Sequence, residues 1–173
     1  MYEKEAIFHS KSKPKEKIDE VINAIVSGSI QIDEFIEFFR SCSNVDKGNC
    51  ADVLKRVSEK DPDKLHKYIG TIISYINYDA PRVKWGIQEA IGNLAEKYPE
   101  ELDEAIPLLL KNTIDSKKNT TVVRWCAAYG ITGIYKNNKK VRKDLRKEIE
   151  DILRKETNNG VRKVYLNVIA KDK

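Results

Sequence analysis

Histidine, cysteine and methionine are scarce in this chain, and long apolar runs are missing. Its 173 residues include 2 His, 3 Cys and 1 Met. His9 and His66 stand apart, with no partner at metal-ligand or catalytic spacing, which leaves little for acid–base chemistry. Cys42, Cys50 and Cys126 form an odd set without C-x-x-C pairing, so they read as reduced thiols rather than as a zinc or redox motif. A phosphate-binding glycine loop, an H-E-x-x-H pair and a G-x-S-x-G elbow are also missing. No catalytic residue, metal site or cofactor is therefore expected. No segment approaches the roughly 20 apolar residues of a transmembrane helix. Residues 1–10 contain Glu3, Lys4 and Glu5 and lead into no apolar signal-peptide core. The expectation is a cytoplasmic protein.

What is present is repetition. Val83-Lys84-Trp85-Gly86-Ile87-Gln88-Glu89-Ala90 returns about 40 residues later as Val123-Arg124-Trp125-Cys126-Ala127-Ala128-Tyr129-Gly130. A weaker copy precedes both, since Leu54 to Leu65 runs parallel to Ile91 to Leu102. Such spacing marks a stacked helical array, in which each unit carries one apolar stripe that it cannot bury alone. With 40% hydrophobic and 34% charged residues, the composition suits a folded chain with extensive polar surface.

Helical spacing predicts a first hairpin from Pro14, with Ile18, Val21, Ile22 and Ile25 on one helix and Ile32, Phe35, Ile36 and Phe39 on the next. The stretch 41–49 is expected to end it. Further helices are predicted at about 49–60, 62–77, 80–97, 99–114, 120–136, 138–156 and 160–171. Pro62 and Pro99 open successive second helices, where a missing N–H costs nothing. Advancing about 100° per residue from Val83 places Ile87, Ala90, Ile91, Leu94 and Tyr98 in a core-facing stripe. Residues 1–13 are polar and aperiodic and read as a flexible tail. Residues 14–173 read as one all-α domain, an α-α superhelix of about four stacked antiparallel helix pairs.

These residues resemble HEAT repeats, antiparallel helix pairs of about 40 residues with an acidic turn residue followed by Val-Arg or Val-Lys. Asp79 precedes Val83-Lys84, Asp115 precedes Val123-Arg124, and Asn158 precedes Val161-Arg162. The Ala-Ile-Gly-Asn-Leu-Ala run at 90–95 is similar to the family's first helix. The resemblance is strongest over 79–171 and implies a right-handed superhelix that binds proteins or, less often, nucleic acid. It also implies a ladder in which Lys84, Arg124 and Arg162 bond the acidic turn residues, with Asp79 and Asp115 the expected partners.

Trp85 and Trp125 lie about 200° from their valines, opposite the apolar stripe, with Glu89 and Tyr129 one turn further on. A protein-binding adaptor or scaffold using these four residues is the favoured reading, since tryptophan concentrates at binding hot spots. Packing of both indoles between repeats is the alternative. The charge distribution points elsewhere. Residues 1–115 hold 16 basic and 21 acidic groups, and residues 116–173 hold 16 and 6. Within that basic third, Lys136, Lys139, Lys140, Arg142, Lys143, Arg146 and Lys147 could meet several phosphates, or could form a solvated face. Nucleic acid is thus the alternative partner. HEAT-like alkylpurine DNA glycosylases also combine stacked helices with basic surfaces and tryptophans, and Gln88 to Gly92 resembles one of their helices. Their groove aspartate motif has no counterpart here. The oligomeric state is left open, because Val161, Val164, Tyr165, Val168 and Ile169 keep the last helix apolar.

Overall fold

The structure, a computed structural model, describes residues 13–172. The expected tail lies outside them except for Lys13, as does His9. Helices α1 (Pro14–Ser27) and α2 (Ile32–Ser41) form the first hairpin. They are followed by α3 (Asn44–Lys60), a 3-10 helix (Pro62–Tyr68) running into α4 (Ile69–Ser74), and α5 (Pro81–Leu94). Next come a second 3-10 helix (Pro99–Leu102), α6 (Ala105–Ile114), α7 (Thr121–Asn137), α8 (Arg142–Lys155) and α9 (Asn159–Ile169). No strand occurs among the described residues. Among the described residues, four helix pairs and a final helix stack as an α-solenoid, with α1, α3, α5, α7 and α9 side by side in one layer. The remaining helices form a second layer across it.

Local chemistry accounts for the helix ends. Glycine at 28 takes φ 83, the left-handed conformation that closes α1. Ser43, Thr120 and Asn158 each accept a hydrogen bond from the backbone N–H three residues on, capping α3, α7 and α9. The Ser43 cap begins α3 well before residue 49, so part of the stretch read as a connection is its first turn. The two prolines do open second-layer elements, but those elements begin as 3-10 turns rather than α-helix. In the first, Leu65 and Tyr68 are both buried, and the three-residue turn of a 3-10 helix sets them one above the other on the same side.

One apolar core runs through the array from Ile18 to Val168. The stripe predicted on α5 is buried at Val83, Ile87, Ala90, Ile91 and Leu94, and Tyr98 is half-buried. First-layer helices approach each other closely because the contact residues are small. A Cβ on Gly86 would sit 2.4 Å from the Ala51 carbonyl oxygen, and one on Gly133 would sit 2.5 Å from that of Gly92. Only glycine permits such backbone contact.

Buried side-chain amides inside the stack find partners in neighbouring repeats. Asn112 Nδ2 donates to Gln88 Oε1 (3.1 Å) and to the Ile76 carbonyl, while Gln88 Nε2 donates to the Val123 carbonyl (3.3 Å). Asn119 donates back to Asn112 and accepts from Lys84 Nζ at 3.2 Å. The ladder of turn cations therefore exists with different partners. Arg124 pairs with Glu156 and donates to the Thr113 carbonyl, and Arg162 donates to the Leu153 and Glu156 carbonyls. Asp115 instead accepts from the backbone N–H groups of Lys117 and Lys118, a local turn bond that withdraws it from the ladder. Asp79 is not used either; Lys84 and Arg124 reach forward into the turn of the following repeat.

At the first hairpin, Lys47 is 3% exposed. Its ammonium donates to the Phe39 and Arg40 carbonyls at the end of α2 and lies 5.3 to 5.7 Å from the ring centroids of Phe39, Tyr75 and Tyr78.

Candidate interaction face

Where α3, α5 and α7 run side by side, an open groove of about 760 Å³ crosses all three helices, with Gly92 and Gly133 in its lining. Ser58 and Glu59 line it from α3, Asn93 and Glu96 from the α5 side, and Tyr129 and Lys136 from α7. A continuous polar line crosses it. Asn93 Nδ2 donates to the Lys55 carbonyl (3.2 Å) and to Ser58 Oγ (3.0 Å), and Tyr129 OH donates to Asn93 Oδ1 at 2.7 Å.

The four residues expected to contact a partner fall on this layer but differ in availability. Trp125 is 37% exposed and stacks on Tyr129, with ring centroids 5.8 Å apart and planes 15° apart. Trp85 is half-buried beside a smaller cleft of about 240 Å³ at Asp52, Lys55 and Arg82. Its indole nitrogen is shielded and has no hydrogen-bond partner. Glu89 is committed within the array. It bonds Lys55 at 2.7 Å and accepts from the Cys126 thiol at 3.4 Å. The two tryptophans of the repeated segment therefore occupy unlike environments.

Electrostatics distinguish the groove further. Burial raises the Tyr129 hydroxyl pKa, and the carboxylates of Glu59, Glu89 and Glu96 add to the rise against the opposing Lys55 charge. Burial works against the Lys55 charge, but the hydrogen bond and charge of Glu89 outweigh it and leave its pKa raised. Burial and then Glu89 push the Cys126 thiol up, keeping it protonated. Lys97 also lines the groove and is paired with Asp63.

Several residues of the basic run are bonded within the chain. Lys140 bonds Glu100 at 2.7 Å, Arg146 bonds Glu150 at 3.0 Å, and Lys147 bonds Asp144 at 3.3 Å. Arg142 donates to the Tyr135 and Lys136 carbonyls, capping the end of α7. Lys136 belongs to the groove, while Lys139 and Lys143 are exposed near the start of α8. Sequence reasoning missed Ser58, Glu59, Asn93 and Glu96. The signal available was the pair of small positions, Gly92 and Gly133, on adjacent first-layer helices.

Among the described residues, no helix is long and apolar enough to cross a membrane, and no cluster of three or more His, Cys, Asp or Glu could hold a metal ion. The chain matches no protein-family model and no curated protein. By fold it is similar to computationally designed armadillo repeat proteins for modular peptide recognition, with a TM-score of 0.66 at 17% identity over 90% of this chain and 68% of that one. It is equally similar to a designed armadillo repeat protein in complex with the peptide (KR)4, with a TM-score of 0.66 at 17% identity over 90% of this chain and 67% of that one. That likeness establishes the fold, an armadillo-like repeat solenoid.

Proposed function

We propose that residues 14–173 act as one protein-binding scaffold of the HEAT type, holding an extended segment of a partner across α3, α5 and α7. The two-helix repeats and the Val-Lys and Val-Arg openings support the HEAT assignment within armadillo-like solenoids. The observation that carries the function is the open groove, lined by Gly92, Gly133 and Tyr129, with the Tyr129 ring stacked on the exposed Trp125. An aromatic stack offers a large, rigid contact with little entropy to lose, which suits a hot spot. Glu59 and Glu96 in the groove lining favour a lysine or arginine of the segment there, since Lys97 beside them is already paired with Asp63. The designed neighbour in complex with (KR)4 supports the same chemistry.

A random peptide library selected against the protein tests it. Recovered peptides should be rich in Lys or Arg and should bind Trp125→Ala at least ~10-fold more weakly, the scale of a hot-spot loss. Affinities unchanged by both Trp125→Ala and Glu96→Lys would overturn it.

A further inference from the structure

Glu59, Glu96 and Lys136 hold one position in three successive repeats. The spacing that carries Leu54 to Ile91 also carries Glu59 to Glu96, and the spacing that carries Val83 to Val123 also carries Glu96 to Lys136. The fold keeps the equivalence. Each follows a pair of buried residues, Val57-Ser58, Leu94-Ala95 or Ile134-Tyr135, and each is exposed at the end of its first-layer helix. All three line the one groove. None of them forms an ion pair with another described residue, whereas the other cation of the lining, Lys97, is held by Asp63. Across α3, α5 and α7 the available charges therefore run negative, negative, positive.

The packing of the layer sets the interval between them. Packed helices lie about 8 to 10 Å apart, and Gly86 against Ala51 and Gly133 against Gly92 bring these three to backbone contact. A chain in polyproline II conformation advances about 9 Å in three residues and returns to the same face. Its side chains at i, i+3 and i+6 match three successive repeats.

Given a partner segment in this groove, we propose that it carries two basic residues three positions apart and an acidic residue three positions beyond them, and that Lys136 selects the acid. Glu59 and Glu96 take the two cations, and the Lys136 ammonium takes the carboxylate. A third lysine or arginine at that place meets a like charge and is rejected. A ladder of one sign would accept a basic segment in several registers. The change of sign at α7 leaves one.

Fluorescence anisotropy at low salt with labelled peptides KPPKPPE, its reversal EPPKPPK and the all-basic KPPKPPK tests the charge order in both chain directions. One of the mixed peptides should bind the wild type about 5-fold more tightly than the all-basic one, the scale of a single exposed charge contact. Lys136→Ala should abolish that preference and Lys136→Glu should invert it, while Trp125→Ala should weaken all three peptides alike. The charge order is overturned, with the groove intact, if the all-basic peptide binds the wild type as well as either mixed one, or if Lys136→Glu leaves the order unchanged while Trp125→Ala still weakens binding. Silence from all three at millimolar peptide overturns it too, and the groove falls with it only if the peptide library also yields no binder that depends on Trp125.

Discussion

Neighbouring helices of the first layer meet through Gly86 against Ala51 and Gly133 against Gly92, with buried amides bonded between them. Neighbouring units of the second layer meet through side chains at the surface. His66 stacks on Tyr98 with ring centroids 4.1 Å apart and bonds Glu101 at 2.7 Å, and Asp63 takes Lys97 and the Tyr98 hydroxyl. Backbone contact tolerates almost no change in volume, whereas exposed pairs are individually weak and replaceable. The first layer is thus fixed by steric fit, and it is the layer that carries the groove. The second can vary around it.

The largest effect that would expose this contrast is expected at Arg124. Its pair with Glu156 is 11% and 4% exposed, so Arg124→Ala leaves a buried carboxylate without its cation, held only by the Asn158 N–H, and should cost about 3–5 kcal/mol in denaturant unfolding. A loss as small as that of an exposed pair would erase the distinction between the layers.

The same substitution should also change sign between them. Gly86→Ala forces a Cβ onto the Ala51 backbone and should destabilise by about 1–3 kcal/mol. Gly70→Ala, at an exposed position of α4 with nothing within 4 Å of the new Cβ, should stabilise by about 0.5–1 kcal/mol. Thermal melts of the two variants decide it.

The smallest effect belongs to Asp63. Lys97 first, then Tyr98, lower its pKa, so its contribution is present above the ordinary carboxylate value of about 4 and is lost as pH falls through the depressed folded value. Asp63→Asn should be slightly less stable than wild type at neutral pH and indistinguishable from it in strong acid. A difference that grows in acid would contradict this assignment.

The repeat and its core stripe were legible because Val83, Ile87, Ile91 and Leu94 obey a helical period that burial alone enforces. The 3-10 openings were not, since proline at a first turn suits either helix. The ladder was half legible. Its cations recur in sequence, but their acceptors, Asn119 and Glu156, are chosen by the spacing between repeats. The candidate face was legible in its aromatics and not in its groove, because the groove is lined from three helices whose register only the packing sets. Equivalent positions in the sequence repeat placed both tryptophans together, yet the neighbours of Trp85 shield its nitrogen while Trp125 remains open.

The forward reach of the turn cations has a consequence for the growing chain. Lys84 finds its acceptor at residue 119, and Arg124 finds its own at residue 156. During synthesis, a helix pair leaving the ribosome would have its packing partner behind it and its polar closure still unmade. Each newly emerged repeat would complete the one before it, so the order of translation and the order of final locking would run in step, one repeat apart.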